Sequence, residues 1–265
     1  MMRKIRTLAL AAGLVAVAGP ALATPVLYGG NVSGPRFFSV NTGTGAESSI
    51  VNGGYQIQAL AWDGANTLYA GNDTRFFKID VNTAVETSIN AAVSYKIQDL
   101  AFGPGGVLYG ANDTRWFSID PSTGAMTSIN AATTYQVNAL AYDPVSGIMY
   151  GANSNGTAVG GEKLFTINPA TGAMTLINGS LGLNVQGMAI HPVTGVLYGV
   201  GHNNATLGDT PDFFTINKST GATSMINGNT AYEGDALAFV PEPGTMLLLG
   251  TGLLGLAVQG RRRAS

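Results

Sequence analysis

From about residue 24 to residue 240 the chain is a succession of short β-prone apolar runs separated by clusters of Gly, Asn, Asp and Pro. One pattern recurs five times, as Leu27-Tyr28-Gly29, Leu68-Tyr69-Ala70, Leu108-Tyr109-Gly110, Met149-Tyr150-Gly151 and Leu197-Tyr198-Gly199, with successive tyrosines 41, 40, 41 and 48 residues apart. A period of about 40 to 50 residues made of short strands and turns predicts the blades of a β-propeller. In the third unit the expected strands are Asp99 to Phe102, Val107 to Gly110, Trp116 to Ile119 and Ala125 to Ile129. The turns between them hold Gly103-Pro104-Gly105-Gly106, Asn112-Asp113 and Asp120-Pro121-Ser122-Thr123-Gly124. Pro fixes φ, Asp and Asn bond the backbone two residues on, and Gly takes positive φ, so turn geometry accounts for these positions.

The ends of the array predict how it closes. Each later unit opens with a Leu-Ala-aromatic strand or its variant, namely Leu60-Ala61-Trp62, Leu100-Ala101-Phe102, Leu140-Ala141-Tyr142 and Met188-Ala189-Ile190, but the first unit lacks one. The missing piece, Leu237-Ala238-Phe239, stands at the far end. A C-terminal strand that completes the first blade leaves no open edge, so the expectation is an all-β, five-bladed propeller over 24–240, closed by a shared first and last blade.

Both termini read as addresses. Arg3, Lys4 and Arg6, the apolar stretch Thr7 to Ala18 and the small-x-small site Ala21-Leu22-Ala23 predict a signal peptide over 1–23, cut after Ala23 by signal peptidase. Residues 241–265 carry Pro241-Glu242-Pro243, a mostly apolar span over 244–260, and Arg261, Arg262 and Arg263, an order that suits a short membrane-crossing segment with a basic stop. An ordinary C-terminal anchor has the same outline. The motif, span and arginine cluster resemble the PEP-CTERM sorting signal of Gram-negative, exopolysaccharide-making bacteria. That resemblance implies recognition by a membrane protease-transpeptidase, exosortase, transient membrane anchoring, and delivery to the cell envelope or extracellular matrix. The repeat wording itself, with Leu-Tyr-Gly and Phe-x-Ile-Asp/Asn-x-x-Thr-Gly-Ala, resembles exported propellers of the NHL, YVTN and quinoprotein-like groups. The Gly-His and Trp-Asp pairs of WD repeats are absent, and so is the Trp that follows the Thr-Gly turn in true quinoprotein blades, so no pyrroloquinoline quinone cofactor is expected.

Charge narrows the partners. Setting aside the six basic residues of the two addresses and Glu242 leaves 7 of the 13 Lys+Arg and 14 of the 15 Asp+Glu, a formal charge of 7 − 14 = −7 for the folded region. Nucleic acid and anionic lipid need clustered cations and are not expected partners. The chain has no cysteine, which excludes disulfides and thiol catalysis.

The candidate binding site is a ring. Aligning the units on the opening Leu or Met brings Gln58, Gln98, Asn138, Gln186 and Asp235 to one position two residues before it, with Tyr55, Tyr95, Tyr135, Leu183 and Tyr232 three residues earlier still. If the opening strand is innermost, five amide or acid groups gather at one mouth of the channel with aromatics beside them, the equipment of a sugar site. Symmetry alone also repeats any loop residue five times, and a glutamine can simply satisfy backbone groups between blades. His191 occupies a turn slot that holds Asp143 one blade earlier, whereas His202 lies in an insertion. The blade tyrosine stands 18 and 19 residues before the next turn Asn in units four and five, against 11 in units two and three. These longer hairpins carry Glu162, His202, Asn203, Asn204, Asp209 and Asp212, but without calcium-loop spacing, so no metal site is assigned.

Asn72-Asp73-Thr74-Arg75 and Asn112-Asp113-Thr114-Arg115 match glycosylation sequons and place Asp and Arg two apart, as in a surface charge ladder. Asp63, Asp80, Asp120 and Asp143 are repeat-turn residues, and no nucleophile elbow, phosphate loop or catalytic acid pair stands out. The expectation is therefore an exported binding or structural propeller without a cofactor, with exopolysaccharide or another envelope protein as candidate partner. Its alternatives are a polysaccharide-active glycosidase or lyase, and a matrix protein with no ligand.

Overall fold

The computed structural model describes residues 24–33, 36–52, 54–153, 161–202 and 211–241. The signal segment 1–23, Glu242, Pro243, the span 244–260 and Arg261 to Arg263 lie outside them, as do Asn203, Asn204 and Asp209. Pro25–Pro241 forms one compact unit.

The strands run blade by blade. Blade one holds β1 (Pro25–Asn31), β2 (Arg36–Val40) and β3 (Glu47–Asn52), and blade two β4 (Ala59–Trp62), β5 (Leu68–Gly71), β6 (Phe76–Ile79) and β7 (Glu86–Asn90). Blade three holds β8 (Asp99–Phe102), β9 (Leu108–Ala111), β10 (Trp116–Ile119) and β11 (Met126–Asn130), with a 3₁₀ turn at Pro104–Gly106. Blade four has β12 (Ala139–Asp143), β13 (Ile148–Ala152), β14 (Leu164–Ile167) and β15 (Met174–Asn178), and blade five β16 (Asn184–Ile190), β17 (Leu197–His202), β18 (Pro211–Ile216) and β19 (Thr223–Asn227). The last strand, β20 (Ala236–Pro241), returns to blade one, whose order is β20-β1-β2-β3. Leu27 pairs with Phe239 and Pro25 with Pro241, so the two ends of the unit are hydrogen-bonded neighbours. Among the described residues this gives five four-stranded antiparallel sheets, the closed five-bladed propeller that the permuted repeat predicts.

In blade three two strands lie one residue later than expected. Gly103 N–H donates to the Val107 carbonyl and Asp120 N–H to the Ala125 carbonyl, so Val107 and Ala125 close turns and do not open strands.

The core lies between blades. Adjacent residues of a strand face opposite sides of the sheet, and the pairs Phe37-Phe38, Phe76-Phe77, Trp116-Phe117, Leu164-Phe165 and Phe213-Phe214 are buried at both positions. Each blade thus sends one large side chain into each neighbouring interface. Phe76 packs with Leu100, Leu108 and Phe117 of blade three, while Phe77 packs with Phe37 and Ala236 of blade one. Burying such a ring contributes about 1.5–3 kcal/mol. In the four blades whose pair begins with a ring, the repeat tyrosine lies flat on it, as in Tyr69 on Phe76 at 5.6 Å and Tyr109 on Trp116 at 5.1 Å between centroids. In every blade but the second, where Ala70 stands, the glycine after it makes room for the second ring, since a Cβ on Gly110 would sit 2.5 Å from a Phe117 ring carbon.

A second repeat joins the blades at their rims. The Asn that ends the outer strand donates its amide N–H to the Thr-Gly turn of the next blade, from Asn90 to Gly124, Asn130 to Gly172, Asn178 to Thr220 and, closing the ring, Asn227 to Gly45. Gly45, Gly124, Gly172 and Gly221 all take positive φ there. In blade two the residue is Ala84, held at φ 55, a conformation that costs a residue with a Cβ about 1–2 kcal/mol.

Candidate functional site

The ring residues are placed by an alternation. Ile57, Ile97, Val137 and Val185 are fully buried, and each is followed by an amide residue that turns toward the axis. Backbone bonds fix most of these positions: Gln58, Gln98 and Asn138 donate their N–H to Gly71, Ala111 and Ala152, and Asp235 donates to Gly30. Gln186 is the extra residue of a bulge in β16. Together Gln58, Gln98, Asn138, Gln186 and Asp235 line a cavity of ≈ 110 Å³ at one mouth of the channel.

The tyrosines go elsewhere. Tyr55, Tyr95, Tyr135 and Tyr232 are not among the residues lining that cavity. They lean on the aromatic pairs, at 5.1 Å from Phe77, 5.4 Å from Phe117, 5.2 Å from Phe165 and 5.2 Å from Phe38. Three are also covered by a cation: Arg75 lies 4.8 Å over Tyr55, Arg115 4.6 Å over Tyr95 and Lys163 5.9 Å over Tyr135. Quadrupole attraction and an aromatic neighbour thus hold these rings between blades, off the wall of the amide cavity. The expected Asp-Arg ladder is replaced by the same pairings. Asp73 pairs with Lys96 at 2.7 Å, and Asp113 accepts from the Gln98 side chain at 2.9 Å.

Within the ring, the side-chain oxygens of Gln58, Gln98 and Gln186 are enclosed and have no hydrogen-bond partner. Because the Gln98 nitrogen is committed to Asp113, the oxygen is the end of that amide left over. Asp235 accepts a 2.6 Å bond from Val32 N–H. Burial raises its pKa to about 7 against that bond, and the charge of Glu233 adds to the rise.

One residue further along each inner strand the repeat has Ala59, Asp99, Ala139, Gly187 and Ala236, all buried. Asp99 is the exception. Its carboxylate accepts from Leu100 N–H at 2.8 Å and from Leu140 N–H in the next blade at 2.6 Å, with a further bond from Leu60 N–H in the preceding one. Burial pushes its pKa well above the ordinary carboxylate value despite those donors. Asp99 therefore ties together the inner strands of blades two, three and four at the waist of the channel. The sequence signal for it is plain in hindsight, a lone acid where the other blades have Ala or Gly.

Beyond the waist the channel opens into a second cavity of ≈ 460 Å³. Its rim carries residues at or near the ends of the inner strands, Trp62, Phe102, Tyr142, Ile190 and Phe239, together with Pro241. All but Phe239 and Pro241 are partly exposed, Phe239 being buried and Pro241 exposed. The Trp62 indole N–H is enclosed without a partner. Asp63, also on this rim, accepts from Ala65, Asn66 and Thr67 N–H. Burial works to raise its pKa, but the bonds from Thr67, Ala65 and Asn66 outweigh it and hold the group below its ordinary value, ionised.

The other candidates have structural tasks. Asp80, Asp120 and Asp143 accept backbone N–H groups of their own turns. His191 does likewise through Nδ1, from Val193 and Thr194 N–H, and packs its edge on Phe239 at 4.9 Å. His202 ends β17, opposite Asn184 and Pro211, and Glu162 and Asp212 are buried. Among the described residues no three His, Cys, Asp or Glu side chains gather as a metal site. The sequon asparagines are internally bonded, Asn72 Nδ2 to the Gln56 carbonyl and Asn112 Nδ2 to that of Lys96.

At its C-terminal end, where β20 closes the ring, residues 239–263 match the model of the PEP-CTERM protein-sorting motif. The chain carries a PEP-CTERM sorting signal. That motif implies an exported protein, processed by an exosortase and anchored transiently at the membrane. No helix among the described residues is long and apolar enough to cross a membrane, and the span 244–260 lies outside them. No curated protein matches the sequence. The fold is similar to one in the crystal structure of a nidogen/laminin complex, with a TM-score of 0.56 at 11% identity over 82% of this chain and 98% of that one. At that identity the likeness concerns the fold alone. Hydrazine synthase of Kuenenia stuttgartiensis matches with a TM-score of 0.46 at 16% identity over 82% of this chain and 69% of that one. The extracellular domain of a putative hybrid two-component system from B. thetaiotaomicron gives 0.43 at 15% over 76% and 26%.

Proposed function

We propose that this PEP-CTERM propeller is a non-enzymatic binding module of the Gram-negative cell envelope or its matrix, and that it takes a glycan at the aromatic mouth. The observation that carries the reading is the ≈ 460 Å³ cavity rimmed by Trp62, Phe102 and Tyr142, with the ionised Asp63 beside them. Ligand pockets typically occupy about 300–1,000 Å³, and a sugar is held by apolar contact of its C–H faces with flat rings and by hydrogen bonds at its edge. The amide ring is the less suitable of the two mouths. At ≈ 110 Å³ it is about a quarter the size of the aromatic mouth, and no aromatic side chain lines it to meet the face of a sugar. An exopolysaccharide suits the export route as the source of the glycan.

A glycan array probed with the exported protein identifies the ligand, and titration calorimetry of variants locates it. Trp62→Ala and Tyr142→Ala are expected to weaken binding at least tenfold, while Gln98→Ala leaves it unchanged. The reverse pattern would return the site to the amide ring. Hydrolysed or eliminated products in the mixture would make the protein an enzyme, and an array without hits would leave a structural role.

A further inference from the structure

The two mouths differ in chemistry, and the amide mouth is built from oxygen. We propose that Gln58, Gln98, Asn138, Gln186 and Asp235 form a site for a single calcium ion on the propeller axis. Five blades bring five side chains, each with a carbonyl or carboxylate oxygen, to the wall of one small cavity that no Lys, Arg or His lines. Three of the amide oxygens are enclosed without a hydrogen-bond partner, a condition that native proteins resolve with a bound water or ion. The Gln98 amide is oriented for the task, because its nitrogen is held by Asp113. One carboxylate stands in the ring, Asp235.

The class of cation follows from the ligands. Oxygen-only ligation by four amides and one carboxylate disfavours the soft and borderline metals, which prefer sulfur and nitrogen. Magnesium demands octahedral geometry and gives up its water reluctantly, whereas calcium takes six to eight oxygens and accepts a pentagonal bipyramid. A five-fold ring supplies the equatorial plane of that figure, and the channel axis leaves its two poles for water. Deprotonation of Asp235, which burial and Glu233 disfavour in the free protein, would be favoured by the bound charge.

The test uses the mature protein purified after export, which keeps β20, stripped with a chelator and titrated with calcium chloride. Calorimetry together with elemental analysis is expected to show one calcium per chain and a melting temperature that rises on saturation, with magnesium binding at least tenfold more weakly. Asp235→Asn keeps an acceptor for Val32 N–H and removes the charge, so affinity should fall at least tenfold. Gln58→Leu, of similar volume, should also weaken calcium while its melting temperature without calcium stays near that of the wild type. Asp73→Asn, on a hairpin tip, should change nothing. The absence of stoichiometric calcium, or equal affinities for the wild type, Asp235→Asn and Gln58→Leu, would overturn the assignment. Uptake of sodium or potassium alone would also overturn it.

Discussion

Glu47, Asp235 and Asp143 set opposing demands on the pH of the solution. Glu47 Oε2 accepts from Tyr232 N–H at 2.7 Å across the closing interface. Burial raises its pKa from 4.5 to about 7 against that bond and one from Ala231, and Asp235 is raised to about 7 as well. The native state thus keeps protons that the unfolded chain gives up above about pH 4 to 5, and stability falls as pH rises through that window toward 7. Asp143 works the other way. Burial favours its neutral form, but a 2.6 Å bridge from Lys218, with bonds from Ser146 and Val145, lowers it to about 2. Its stabilisation is present above about pH 4 and is lost as pH falls toward 2. Melting temperature in chelator should therefore peak near pH 4 to 5. Glu47→Gln combined with Asp235→Asn should lessen the decline toward pH 7 without abolishing it, because buried Asp99 is raised in the same direction, and Lys218→Met should shrink the loss on the acid side. A melting temperature that climbs steadily from pH 5 to pH 8 would contradict this assignment of protons.

At the scale of the element the decisive strand is β20, because it is the most distant in sequence from its partner and the one that closes the ring. Ending the chain at Asp235 removes it, exposes the β1 edge along Val26 to Gly30, and takes Ala236, Leu237, Ala238, Phe239 and Val240 out of the cores of both interfaces of blade one. Such a truncation should lose the single sharp unfolding transition of the full propeller. Calorimetry would count against the shared-blade closure if the shortened chain melted at the same temperature with the same sharpness. Closure was legible in the sequence because a repeat that begins at its second strand and ends with its first has one simple solution. The ring position was legible for the same reason, since the alignment gives one residue per blade and the inner strand faces the axis. The tyrosines were not, because the cations that hold them, such as Arg75 over Tyr55, arrive from a hairpin some 20 residues away. Asp99 was not either, since a repeat alignment weights what the blades share and Asp99 is what one blade does alone. The rim bonds from Asn90, Asn130, Asn178 and Asn227 were written in the recurring Ile-Asn and Thr-Gly dipeptides, but only the twist of neighbouring blades brings one to the other.

For the molecule as a whole, folding and sorting share a boundary. The sorting motif begins at Phe239, inside the last strand, and Pro241 pairs with Pro25 at the end of the closing ladder. Proline lacks a backbone N–H and suits the end of a strand, so the residue that opens the Pro-Glu-Pro motif also finishes the propeller. A cut upstream of Pro241 would remove part of the clasp. A cut just after it would leave the ring intact and discard the apolar span with its arginines. Processing is accordingly expected between Pro241 and Gly244, giving a mature chain that keeps β20 and no membrane segment. Replacing Pro241-Glu242-Pro243 by alanines should leave a longer, membrane-retained form whose propeller still melts cooperatively, because alanine can occupy the end of the ladder as readily as Pro241 does. Intact-mass analysis of the exported protein decides between the outcomes. A terminus between residues 241 and 244 is the expected result, a terminus upstream of Val240 would mean that processing dismantles the clasp, and a mass that still includes Arg261 to Arg263 would count against cleavage at the motif.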